Sequence, residues 1–361
     1  VNPTTVDFIC RLAEKTKVVV MLFGNPLYVN RFEEMSNVSA VGITYTNDEI
    51  SQQYAAQLLF GGIGSQSKLS LSTRHFALNQ SAPVNKIRLE YSTPEDGGIS
   101  EQTLAQIDSI INDAMEQKVF PGCQILAAKD GVVFYRKNFG FHTYSKKKAV
   151  TDADIYDLAS ITKVTATLPA LMKLYEADKF NLDDRLATYI PKLDSSNKKS
   201  AINLDILTHQ ARFSPWLPFY LHTLTKDTLN RYHLNKTIYS NTLSEKYNHQ
   251  VADNIYIIPS IRDSIFASIA KSKLRRRKRY RYSDLGFYLY QQVIEDSTKM
   301  TLDQYAGTTF YKPMGAYTLQ YNPLKHYDRE NIVPTEYDSF FRKQLVWGYV
   351  HDQGAAMLGG V

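Results

Sequence analysis

The segment Asp157-Leu158-Ala159-Ser160-Ile161-Thr162-Lys163, followed by a helical pattern of apolar residues through Met172 and Tyr175, decides how this chain is read. Residues three apart on a helix share a face, so Ser160 and Lys163 come together in its first turn. At a helix start Ser160 also feels the positive end of the backbone dipole, which favours negative charge developing on its oxygen. A serine hydroxyl is inert near neutrality unless a base takes its proton; a lysine amine can take it, or can hold a phenol in its ionised state. The bare string is common by chance and equally describes a surface serine capping a helix. Pro169 lies inside the same pattern, deletes one backbone bond and predicts a kink.

A second segment answers the first. Arg281-Tyr282-Ser283-Asp284-Leu285-Gly286-Phe287 opens another helical pattern, through Tyr290 and Ile294, about 120 residues past Ser160. A tyrosine just ahead of a helix at that point can serve as general base: Tyr282 accepts the Ser160 proton and later passes it to the leaving group, with Lys163 beside it.

With Leu182-Asp183-Asp184 and Asn203-Leu204-Asp205-Ile206-Leu207-Thr208-His209, these segments resemble the serine β-lactamase and penicillin-binding-protein-like family, in its class C β-lactamase, carboxylesterase and DD-peptidase branch. Tyr282-Ser283-Asp284 resembles the family's Y-x-N motif. His351-Asp352 through Gly359-Gly360 resembles the lead-in to its third motif, an H/K-x-G strand. The resemblance covers residues 99–361 and implies an antiparallel sheet with a helical domain, and an acyl-enzyme on Ser160. It also implies an oxyanion hole that uses the Ser160 N–H, substrate contact at Asp284, and extracytoplasmic work on a small-molecule or peptidoglycan-derived substrate. The third motif is absent, so one oxyanion donor, worth about 2.7–4 kcal/mol, and the C-terminal strands are expected to be missing from a truncated piece. Asp284 in place of asparagine argues against efficient β-lactam turnover. Ala211-Arg212-Phe213 replaces the usual small residues.

Upstream, residues 3–14 have a helical face, 18–23 form an apolar run of strand length, 38–45 read as a second strand, and Asn47 or Asp48 caps a helix reaching Phe60. That order means a small buried parallel α/β sheet. Residues 1–82 resemble the C-terminal α/β domain of glycoside hydrolase family 3, most specifically at Phe60-Gly61-Gly62 and Lys68-Leu69-Ser70-Leu71. The resemblance implies an upstream glycosidase barrel in the full protein; with no barrel in this chain, no glycosidase chemistry is assigned to its residues. The same likeness leaves open that the chain is the accessory region of a family 3 β-N-acetylglucosaminidase or β-glucosidase, or a non-catalytic peptidoglycan-binding module. Residues 83–98, rich in proline, glycine and polar residues, read as a linker. Ser100 then caps a helix with its buried face at Leu104, Ile107 and Ile111, and Lys129-Asp130-Gly131 joins two strands in a hairpin. The fold class expected is thus α/β followed by α+β.

Composition sets the bounds. A chain of 361 residues suits two domains, and 43% hydrophobic with 22% charged residues predicts packed cores. The net charge of +6 is mild. Much of it lies in the run from Lys271 to Arg281, read as a solvated loop or as a positive rim attracting carboxylates; too few aromatics accompany it for nucleic-acid binding. Cys10 and Cys123 are expected as buried thiols, no stretch is long enough to span a membrane, and no metal or cofactor is expected. His209 reads as a structural donor near the site, and His142, His222, His233 and His326 as surface or loop residues. Residues 211–275 lack clean periodicity and are assigned to an all-helical insert walling the cleft, with Trp216, Phe219 and Tyr220 as candidate lining residues.

Overall fold

A computed structural model describes residues 2–33 and 35–354, and the chain divides into two compact units, Val1–Asp152 and Ala153–Val361. The division falls within the 99–361 stretch read as one domain. In the first unit, α1 (Pro3–Ala13) is capped by Asn2, whose side chain accepts the Thr4 N–H. Strands β1 (Val19–Leu22) and β2 (Ala40–Ile43) pair in parallel, Val19 opposite Ala40. Asp48, not Asn47, caps α2 (Glu49–Leu59) by accepting the Ser51 N–H at 2.8 Å. Val6, Val20, Leu22, Val29 and Phe32 make the core between these elements. Within the 83–98 stretch, β3 (Glu90–Tyr91) pairs in parallel with a strand of the following sheet.

Ser100 caps α3 (Glu101–Glu116), which precedes the hairpin of β4 (Gly122–Lys129) and β5 (Val132–Gly140). Asp130 and Gly131 both take positive φ, 51° and 80°, the backbone that a tight hairpin turn needs. Leu104 of α3 packs with Tyr135 and Phe139 of β5. Cys10 and Cys123 are half-buried and not joined in a disulfide. His142, read as a surface or loop residue, lies in the loop after β5 but is buried there, and its backbone N–H bonds the Lys148 carbonyl at 2.9 Å.

The second unit holds the larger core. Its helices are α4 (Leu168–Glu176), α5 (Leu186–Tyr189), α6 (Asn203–Leu207), α7 (Ile261–Lys271), α8 (Leu285–Thr298) and α9 (Leu302–Ala306). The segment expected to be all-helical instead carries β6 (Leu224–Lys226) paired with β7 (Tyr232–Leu234). It also carries a three-stranded antiparallel sheet of β8 (Tyr239–Ser240), β10 (Ile255–Ile257) and β9 (His249–Ala252). Strands of two to four residues are too short to show alternation; the Asp253-Asn254 turn, with Asn254 at φ 54°, was the readable signal. A last hairpin joins β11 (Glu336–Asp338) and β12 (Gln344–Val346). Among the described residues no helix is long and apolar enough to cross a membrane. Of the expected lead-in to a third motif, residues 355–361 lie outside the described residues. His351 Nδ1 sits 2.6 Å from Glu336 Oε1, and Asp352 accepts the Tyr288 hydroxyl.

Helix α8 is buried on nearly every face, from Leu285 to Ile294, as expected of a helix apolar all round. Gly286 makes this possible. A β-carbon there would stand 2.2 Å from Ile206 Cγ2, on a branched side chain with few rotamers to retreat into. Gly286→Ala would gain about 1 kcal/mol of helix propensity but incur about 1–3 kcal/mol of overpacking. A net loss of about 1 kcal/mol is the expected result, read as a lowered urea midpoint.

Candidate active site

The chain enters the site through a strained turn. Ala159 has φ 44°, a left-handed conformation costing an L-residue about 1–2 kcal/mol. Asp157 holds it there: its Oδ1 accepts the Ala159 N–H at 2.9 Å, and its Oδ2 accepts the Thr335 hydroxyl at 3.2 Å. Ser160, one residue on, is exposed, and Lys163 is buried. The helical run here is not one α-helix. A 3-10 turn (Ala159–Ile161) gives way to a π-helical turn (Lys163–Thr167), in which the Leu168 N–H bonds the Lys163 carbonyl, and α4 follows. Pro169 therefore falls in the first turn of α4, where a missing N–H costs little. The expected kink is realised as this change of register.

Lys163 Nζ donates to Ser160 Oγ at 2.9 Å. The other groups around the amine come from the start of α8. Asp284 Oδ1 lies 2.7 Å from Nζ, an ion pair without hydrogen-bond alignment at that oxygen. The ring centroids of Tyr282 and Phe287 lie 5.3 and 5.5 Å away. A cation over an aromatic face is attracted by the ring quadrupole, so the two rings form an apolar seat that still favours charge. Asp284 is the residue preceding α8, yet makes no side-chain cap; its carboxylate turns to Lys163 instead.

Tyr282 is fixed from behind. Its ring packs 4.6 Å from that of His209, whose Nδ1 accepts the Ser283 N–H at 3.2 Å. His209 is thus an acceptor at this nitrogen rather than the expected donor. Burial, and then the Lys163 charge, push its pKa below the ordinary imidazole value, which keeps that nitrogen free to accept. Ser283 Oγ donates to the Ser214 carbonyl at 2.6 Å, and the Asp284 N–H bonds the Pro215 carbonyl at 3.0 Å. Trp216 follows Pro215 and is exposed, with its ring 6.4 Å from that of Tyr220. Phe219, a candidate lining residue, is instead a core residue against Tyr288. The structure so gathers Ser160, Lys163, Tyr282 and Asp284 in one cluster, with Trp216 on the strand of chain that anchors Asp284. Sequence reading missed Phe287, one helical turn beyond Asp284, although that spacing was visible.

A half-open pocket of about 120 Å³ lies along Asp157, Leu158, Thr162 and Tyr311; Ser160, Lys163 and Tyr282 are not among its lining residues. Of the reactive groups, Ser160 is exposed and Tyr282 half-exposed, with the buried Lys163 amine behind them.

A family model described as Beta-lactamase matches residues 107–330, and the chain belongs to that family. A protein of Escherichia coli named "Putative D-alanyl-D-alanine carboxypeptidase" is 28% identical over 76% of this chain and 62% of its own length. One of the same name from Salmonella gallinarum is 29% identical over the same shares. The chain thus spans 62% of the length of these relatives. Among solved structures, an octameric penicillin-binding protein homologue from Pyrococcus abyssi is similar with a TM-score of 0.48 at 20% identity, over 68% of this chain and 51% of that one.

Proposed function

We propose that this chain carries out acyl transfer to water through Ser160. Ser160 Oγ attacks an ester, amide or β-lactam carbonyl while its proton passes to Tyr282, assisted by Lys163. The tetrahedral intermediate, held in part by the Ser160 N–H, collapses as the leaving group takes that proton. Water, deprotonated by the same pair, then releases the acyl group and restores the serine. One observation carries this reading: a buried amine 2.9 Å from an exposed serine hydroxyl, seated against the ring of a tyrosine 119 positions further on. A surface serine at a helix cap has no need of such a partner. The carboxypeptidase relatives support a cell-wall substrate and an extracytoplasmic location. Residues 1–82 are read as an accessory domain like that following a family 3 glycosidase barrel, residues 83–98 as its connection, and 99–361 as the hydrolase domain.

The test is covalent. A fluorophosphonate should add to Ser160, seen as a mass shift on the peptide that contains it, and Ser160→Ala should abolish the shift. An unlabelled Ser160 in a folded protein, under conditions that label a known serine–lysine hydrolase, would refute the nucleophile.

Asp284 bears on the choice of acyl donor. Its carboxylate places a negative charge beside the reacting groups and disfavours donors that carry an anion close to the scissile carbonyl. At an effective dielectric of about 20, a unit charge about 10 Å away is worth about 1.7 kcal/mol. Asp284→Asn should therefore raise acylation by benzylpenicillin about tenfold relative to acylation by a neutral nitrophenyl ester. An unchanged ratio of the two second-order rate constants would show that this carboxylate does not face the donor.

A further inference from the structure

Asp157 divides its two oxygens between the nucleophile turn and a distant hairpin. Oδ1 accepts the Ala159 N–H at 2.9 Å, and Oδ2 accepts the Thr335 hydroxyl at 3.2 Å. The first bond acts on the left-handed residue itself, at φ 44°. With that N–H taken, the next one, of Ser160, makes no hydrogen bond among the described residues and is left for a developing oxyanion. The second bond closes a short seam. The Ile155 N–H bonds the Asn331 carbonyl at 2.8 Å, the Val333 N–H bonds the Ile155 carbonyl at 2.8 Å, and the Thr335 hydroxyl continues the series at Asp157. Thr335 is held in turn. Its N–H bonds the Val346 carbonyl at 2.9 Å at the base of the β11–β12 hairpin, and its hydroxyl lies 2.9 Å from the Tyr349 carbonyl. Arg342, buried, stiffens that hairpin by donating to Asp338 at 2.9 Å and to the Val350 carbonyl at 2.8 Å. The Ser160 hydroxyl meets Lys163 and, among the described residues, not Asp157.

We infer that Asp157 and Thr335 are positioning residues for the nucleophile: they brace Ala159 in its left-handed turn, so that the Ser160 hydroxyl meets Lys163 and the Ser160 N–H meets the oxyanion without rearrangement. The inference rests on the acyl-transfer reading above. An L-residue in this backbone relaxes when nothing holds it, and the strain corresponds to a factor of about 5 to about 30 in favour of the relaxed turn. Preorganised groups count in the rate because they need no movement at the moment of reaction, so that factor falls on kcat rather than on substrate affinity. The brace works by geometry and not by charge. An amide oxygen in place of Oδ1 still accepts the Ala159 N–H. The amide nitrogen can then donate to the Thr335 oxygen, while the Thr335 hydrogen turns to the Tyr349 carbonyl.

Phosphonylation of Ser160 by a fluorophosphonate is timed by mass spectrometry in the full chain, and kcat and KM are measured for a nitrophenyl ester. Asp157→Ala should slow phosphonylation and lower kcat by a factor of about 5 to about 30, with KM within about twofold of the parent. Asp157→Asn should stay within about threefold of the parent, because it keeps the acceptor. The decisive variant adds Ala159→Gly to Asp157→Ala. Glycine takes positive φ without a steric penalty, so the double variant should react about fivefold faster than Asp157→Ala, whereas Ala159→Gly in the parent gives no acceleration. A residue that only stabilises the fold would not give this recovery; circular dichroism at the assay temperature checks that each variant is folded. Should Asp157→Ala not fold, Thr335→Val with and without Ala159→Gly makes the same comparison. Asp157→Ala at the parent rate overturns the proposal, as does Asp157→Asn as slow as Asp157→Ala, or a double variant no faster than the single one. A parent that labels normally beside no glycine recovery sinks the brace alone; a parent whose Ser160 is never labelled sinks the acyl-transfer reading and the brace with it.

Discussion

Replacing Lys163 with methionine is expected to lower kcat/KM for an activated ester by about three orders of magnitude, and to slow phosphonylation of Ser160 by a similar factor. Methionine is close to lysine in length and apolar, so it fills the slot between the Tyr282 and Phe287 rings without leaving a void. What it removes is the donor 2.9 Å from Ser160 Oγ and the positive charge paired with Asp284. The Asp284 oxygen that faces the amine is buried although the side chain as a whole is partly exposed, so the loss of its partner costs up to about 3 kcal/mol, at the low end for a buried pair. Thermal melting separates the two effects: a modest drop in Tm beside a large drop in rate is the signature of lost chemistry. A rate within tenfold of the parent would mean that the amine only fills space, and that the hydroxyl is activated elsewhere or not at all.

The juxtaposition that matters was legible in the sequence because it depends on very little. Ser160 and Lys163 meet whether the turn between them is α or 3-10, since three residues advance about 300° in the one and about 360° in the other. Pro169 marked a break in this helix, but its form, a 3-10 turn that starts at the strained Ala159 and passes into a π turn, leaves no mark in hydrophobic periodicity. Tyr282 was placed by its position ahead of a helix, and the near-total burial of α8 explains why that position is fixed. Asp284 was read by resemblance as a substrate contact; its pairing with Lys163 is a through-space fact between residues 121 apart. The parallel pair of β1 and β2 was readable from two apolar runs with a helix on either side. The short strands between residues 224 and 257 were not, because a run of three residues has no period. Arg212 was noted as an oddity among small residues. Its reason is tertiary: at φ 68° it bears a strained backbone while its side chain holds the loop that leads to Tyr282.

Tyr282→Phe isolates the other half of the proton path. Phenylalanine keeps the ring, and with it the face presented to Lys163 and the packing 4.6 Å from His209. The backbone bonds that hold this turn, from Ser283 N–H to His209 and from Asp284 N–H to Pro215, involve no tyrosine oxygen. Tyr282 is half-exposed and its hydroxyl bonds no partner among the described residues, so its removal should leave Tm within about 1 °C of the parent. The reaction should suffer much more. General acid–base catalysis contributes about 10²–10⁴-fold, and if Tyr282 both takes the Ser160 proton and returns it to the leaving group, each half of the cycle slows. The expected loss in kcat/KM is about 10²–10³-fold for an amide or alkyl ester. It should be smaller for a nitrophenyl ester, whose leaving group departs without a proton. That dependence on the leaving group is what a merely structural role would not produce. Equal losses on both substrates would assign the proton transfer to Lys163 alone and leave Tyr282 as the wall against which the amine is held.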